Sequence, residues 1–129
     1  MEYYEVAAKW WKEKLRKVTP EHFSSNGRVD SMAKLLASYF PHMDDEISDK
    51  YLDLFEKKLT DIIKDQVECI GYMLLLTHYN PDVSLIGDIA RESGIDTDRI
   101  PHETTMWIYK EKVTVQYGTD KNFSIIFHD

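Results

Sequence analysis

Apolar residues recur at Tyr3, Tyr4, Ala7, Trp10 or Trp11, Leu15 and Val18, the three-and-four spacing that gives a helix one apolar stripe. Lys9, Lys12, Lys14, Arg16 and Lys17 fall on the other side, with Glu2 and Glu5 at the start, so the charge order follows the helix dipole. Thr19-Pro20 stops this helix and opens a short helical turn ending near Ser25, and Asn26-Gly27 follows as a tight turn. Val29, Met32, Ala33, Leu35, Leu36, Tyr39 and Phe40 predict a second helix, ended by Pro41 because proline disfavours helix in the residue before it. Asp44 is the predicted N-cap of a third, with Asp45 and Glu46 in its first turn. Ile47, Tyr51, Leu54, Phe55, Leu59, Ile62, Ile63 and Val67 keep helical spacing long enough to make this the longest element, and Gly71 ends or bends it.

Tyr72 to Tyr79 is a short apolar run with no period to separate strand from helix; Gly71 before it and Asn80-Pro81-Asp82 after it favour a strand. Helix resumes from about Val83 to Ser93, with Leu85, Ile86, Ile89 and Ala90 inward and Gly94 as the left-handed cap, followed by a loop from Asp96 to Pro101. From Thr104 the period becomes two. Met106 and Ile108, then Val113, Val115 and Tyr117, then Phe123, Ile125 and Phe127 mark one side of three strands, joined by turns near Lys110-Glu111 and at Gly118 to Lys121. Trp107, Tyr109 and Ile126 make the second side too apolar to be fully wet, which predicts a cover of helices, a partner or a second copy.

These elements predict a single α+β domain over residues 1–129: a helical part to about residue 70, then a β-α-β-β-β unit whose mixed sheet packs on the helices. A right-handed crossover through the Val83–Ser93 helix would set Met106–Tyr109 parallel to the first strand. A chain of 129 residues is within the range of one core. Its single cysteine, Cys69, and the absence of a signal-peptide pattern point to a reducing, cytoplasmic setting, and no apolar stretch approaches a membrane span.

Net charge is −7, and it is concentrated: residues 41–70 hold nine acidic side chains against four basic ones. Such a balance disfavours general binding to phosphate backbones. The basic and aromatic run from Lys9 to Lys17 is the one stretch resembling a nucleic-acid contact, but adjacent Trp10 and Trp11 lie about 100° apart on a helix, so at least one must face the core. The histidines, His22, His42, His78, His102 and His128, make no metal spacing, and no cofactor motif occurs. His78 with Asp82 stands at the end of the first predicted strand, where α/β sheets place ligands, and His102-Glu103 precedes the second strand, expected at the opposite edge. A small enzyme using His78 with Asp82 or Glu103 as general acid and base is one reading. Cys69 reads as a packing residue rather than a nucleophile.

The sharper feature is a row of carboxylates. Asp45, Asp49, Asp53 and Glu56 follow helical spacing along one face, where like charges repel by a few tenths of a kcal/mol per pair. Asp61, Asp65 and Glu68 continue a neighbouring row, interrupted by Lys57, Lys58 and Lys64. Carboxylates so arrayed can stand in for phosphates toward a groove that binds nucleic acid.

Pro101-His-Glu-Thr-Thr-Met-Trp-Ile108, Lys112-Val-Thr-Val-Gln-Tyr-Gly118 and the opening Tyr3-Tyr-Glu-Val-Ala-Ala-Lys-Trp-Trp11 resemble small proteins carried by phages and mobile elements of Gram-positive bacteria. The resemblance covers both ends of the chain and is patchier between Thr19 and Asp44. What it implies is context: inhibitors of host defence, anti-CRISPR proteins among them, with no catalytic site transferred. The expectation is therefore a non-enzymatic acidic binding protein that meets a host protein or ribonucleoprotein through Asp45, Asp49, Asp53 and Glu56, without cofactor, metal or membrane, and with self-association through the sheet open to it.

Overall fold

The computed structural model describes residues 1–16, 47–77, 83–117 and 122–129. In chain order these form α1 (Tyr3–Arg16), α2 (Asp49–Ile70), β1 (Tyr72–Thr77), α3 (Leu85–Glu92), a 3-10 turn (Thr97–Arg99), β2 (Thr104–Tyr109), β3 (Lys112–Gln116) and β4 (Ser124–His128). The architecture is α+β, with helices on one face of a four-stranded antiparallel sheet. The helix expected over Val29–Phe40, the turn before it and the N-cap at Asp44 lie outside the described residues. Among the described residues no helix is long and apolar enough to cross a membrane.

α1 buries Tyr3, Ala7, Ala8, Trp11 and Leu15, the stripe its spacing predicts, with Trp11 the inward member of the tryptophan pair. α2 starts later than expected: Ser48, in extended conformation, accepts a hydrogen bond from the Lys50 amide at 3.3 Å and so caps Asp49. Its inward row is Leu52, Phe55, Leu59, Ile63 and Val67, while the expected Tyr51 and Leu54 are exposed. Gly71 ends it at φ 103°, a left-handed conformation that glycine adopts without strain, and its amide donates to Val67 at 2.8 Å. α1 and α2 run antiparallel: Arg16 meets Asp49 and Lys12 meets Asp53, while Lys64 lies over the ring of Tyr4.

The expected parallel crossover is overturned. β1 pairs with β2 antiparallel, Tyr72 opposite Tyr109 and Thr77 opposite Thr104, and the strands follow in the order β1-β2-β3-β4. The reason is anchoring. The return is fixed at the end of β1: the Thr77 hydroxyl donates to the Pro101 carbonyl at 2.5 Å and the Glu103 amide donates to the Thr77 carbonyl at 2.6 Å. Thr77 is fully buried and thereby satisfied.

Met73, Leu75, Met106, Ile108, Val113 and Val115 form the inner sheet face, none more than 3% exposed. β4 departs from simple alternation. Val113 faces Phe127 but Thr114 faces Ile125, so Ile126 is an extra residue and the strand changes phase there, as β-bulges do. Ile126 and Phe127 therefore both pack against the core, while Phe123 and Ile125, expected inward, are exposed.

Candidate functional site

The acidic row lands on α2, and the structure divides it. Asp45 lies outside the described residues. Lys12 from α1 reaches across to Asp53 at 2.9 Å and Glu56 at 3.1 Å, and Arg16 reaches Asp49 at 2.7 Å and Glu13 at 3.3 Å. The hydrogen bond to Asp53, reinforced by Glu56, raises the Lys12 pKa against the opposing effect of burial; Asp49 raises that of Arg16 in the same way. These contacts make the N-terminal half of the row a seam between two helices. It still shows to solvent, since the side chains of Asp49 and Asp53 are 71% and 65% exposed.

The C-terminal half differs. Asp61, Asp65 and Glu68 are exposed at four- and three-residue spacing, and among the described residues no ion pair reaches them. Lys64, between them, lies over the Tyr4 ring, and Lys58 turns to Glu92 at 3.8 Å. No basic residue occupies the last turn of α2, so Glu68 sits where the helix dipole opposes it at a cost of a few tenths of a kcal/mol. Glu5 and Lys9 of α1 face Asp53, Glu56 and Asp61 across an open cleft of about 280 Å³.

Beyond α1, a second cleft of about 300 Å³ is bounded by Val6, Trp10, Lys14 and Ile126. Trp10 sets its edge against Trp11 at 5.0 Å and against Tyr117 at 5.6 Å, and the Lys14 ammonium lies over the Tyr117 and Trp10 rings at 4.3 and 5.3 Å. The basic and aromatic run is thus folded into contacts of its own. A residue that sequence reasoning left out does more for this part of the molecule. Arg99, buried to 5% exposure, donates to the Leu15 and Arg16 carbonyls at 2.8 Å each and caps the C-terminus of α1 from 83 and 84 residues away. Its only sequence signal is a long basic side chain beside a helix-capping Asp96-x-Asp98 turn.

The residues of the enzymatic reading are only partly placed. His78 and Asp82 lie outside the described residues. Glu103 takes a left-handed φ of 51° and binds the carbonyl of Thr77 through its amide, so it starts β2 beside the end of β1 and not at the opposite edge. Cys69 is exposed, in contrast to the packing role expected. Among the described residues no three His, Cys, Asp or Glu side chains are grouped to hold a metal ion. No protein-family model matches this chain, and no curated protein matches it.

Proposed function

We propose that this is a non-enzymatic acidic binding protein that inhibits or modulates a nucleic-acid-handling complex of a host cell, in the manner of anti-defence proteins such as anti-CRISPRs. The observation that carries the reading is the exposed acidic face of α2. Among the described residues no ion pair reaches Asp61, Asp65 or Glu68, and Asp49 and Asp53, in a neighbouring row nearer the helix start, remain largely exposed despite their ion pairs. A helix of 22 residues spans about 33 Å, long enough to lay carboxylates along a groove that otherwise holds a phosphate backbone. Glu68, kept in the last turn of the helix, brings no gain in stability there, which favours a use outside the fold. The resemblance of both chain ends to phage-borne proteins supports the same context.

The contact is then centred on Asp61, Asp65 and Glu68, with Asp49, Asp53 and Glu56 extending it toward the start of the helix. Replacing Asp61, Asp65 and Glu68 with Asn, Asn and Gln is expected to leave the circular dichroism spectrum unchanged and to abolish capture of the host complex from lysate. Undiminished capture by that variant rejects the acidic face as the contact. Replacing Asp49, Asp53 and Glu56 similarly is expected to weaken capture and also to loosen α1, because the same groups hold Lys12 and Arg16.

A further inference from the structure

The face of the sheet turned away from the helices is built for company. Register places Leu74, Trp107, Thr114 and Ile125 side by side across all four strands. On one flank of this row Tyr72 stacks on Tyr109, ring centroids 6.2 Å apart and planes at 29°; on the other, Leu76 lies beside Thr105 and Gln116. Tyr72, Leu76, Tyr109 and Ile125 are 46, 44, 41 and 58% exposed, as is 48% of Phe123, two residues before Ile125. Leu74 and Trp107 are half-buried.

We infer that this face is the contact between two copies of the chain, joined sheet to sheet about a two-fold axis. Charge decides between occupants. The chain has 23 acidic residues and a net charge of −7, yet these three rows contain no carboxylate; Lys112, which the register sets beyond Tyr109 at one corner, is the one charged side chain the strands add to this face. A basic partner finds nothing to pair with here. A second copy brings the same uncharged surface, so two strongly acidic molecules meet where like-charge repulsion is least. Face-to-face packing of two sheets is a standard way to bury such rows, and tyrosine and tryptophan suit an interface because each buries a ring while keeping a polar group for water or the partner.

Area sets the strength. Four strands spaced about 4.8 Å and about 20 Å long give a planar footprint near 400 Å² before side-chain relief, against about 800 Å² that each partner contributes to a standard interface. The dimer therefore belongs to the weak, concentration-dependent class. It leaves both α2 faces pointing outward, and the inference is independent of the reading proposed for them.

Sedimentation of the full chain from about 1 μM to about 500 μM, a range that brackets weak interfaces, is expected to show monomer passing to dimer. Ile125→Lys combined with Leu76→Lys is expected to hold the chain monomeric throughout with an unchanged unfolding midpoint at the lowest concentration. Leu54→Lys, on the exposed side of α2, is expected to dimerise as the parent does. A parent that stays monomeric at the top of the range overturns the inference, and so does a dimer that survives the double lysine variant. A lowered unfolding midpoint for that variant in its monomeric range also overturns it, because the face is then covered by the chain itself, with segment 17–46 the cover to test next.

Discussion

The two faces of this sheet are both apolar, and they are apolar in different ways. The inner face carries Met73, Leu75, Met106, Ile108, Val113 and Val115, flexible or branched aliphatic side chains that the helices cover completely. The outer face is richer in rings, and its tyrosines and Ile125 stay in contact with water. Aliphatic side chains fill a close-packed interior because their rotamers interdigitate with Leu, Ile and Phe from facing helices. Tyrosine and tryptophan, with one polar group each, tolerate a surface that is wet in one state and dry in another. The difference teaches that hydrophobicity alone does not mark a core: what opposes the residue decides, and residue type hints at which opposition is permanent.

Truncation separates the faces most strongly. Phe55, fully buried where α2 meets the rest of the core, is expected to cost about 3–5 kcal/mol as Phe55→Ala, read as a lowered midpoint in denaturant at unchanged slope. Ile125→Ala on the outer face is expected to stay within about 0.5 kcal/mol at concentrations where the chain is monomeric. Equal costs would mean that the outer face is a second core and the contrast is false.

Next in size is Arg99. Removing its guanidinium leaves the Leu15 and Arg16 carbonyls without the donor that now serves both, and hydrogen bonds to charged groups are worth about 1.5–3 kcal/mol. Arg99→Met is expected to cost about 2–3 kcal/mol in the same measurement. Arg99→Lys recovers only part of it, because one ammonium lacks the planar fork that reaches two carbonyls. Amide exchange should rise in the last turn of α1 while the outer strands stay unchanged; protection lost evenly across the sheet would show that Arg99 supports the whole fold rather than this helix end.

Helix positions and strand positions were legible because their periods are local. α1, the Gly71 stop, the strand at Tyr72 and the inward set Met106, Ile108, Val113 and Val115 all follow from neighbours within a few residues, while which of Trp10 and Trp11 turns inward is settled only by the fold. Three things were not local. Strand direction depends on anchors at Thr77, Pro101 and Glu103 that hold the returning chain beside the end of β1. The phase of β4 depends on a bulge at Ile126 that alternation cannot reveal, because Ile125, Ile126 and Phe127 are equally apolar. The state of the acidic row depends on which cations from α1 face it. The spacing puts Lys12 and Arg16 on the polar side of their helix, yet antiparallel packing turns them onto Asp49, Asp53 and Glu56.

The smallest effects belong to that seam, and they sharpen the comparison because they act on the helical layer alone. The side chain of Lys12 is mostly covered but its partner Asp53 is mostly exposed, so solvent screening holds the pair to about 0.5–1 kcal/mol; Lys12→Met, which keeps the stem, is expected to lose about that much and to lose less in high salt. Alkali should do the same by titration. Asp53 and Glu56 raise the Lys12 pKa, so the folded state holds that proton more tightly than the unfolded chain does. The stabilisation is complete below the ordinary lysine range and fades as pH rises through the higher folded value. Tyr3, raised chiefly by burial and further by the charge of Glu68, has the same sign: its ionisation opposes folding above about pH 10. Unfolding midpoints are therefore expected to fall across that alkaline window, more steeply in the parent than in Lys12→Met. Parallel curves would mean that the Lys12 pair contributes nothing to the fold, and that Asp53 and Glu56 are as available to a partner as Asp61 and Asp65.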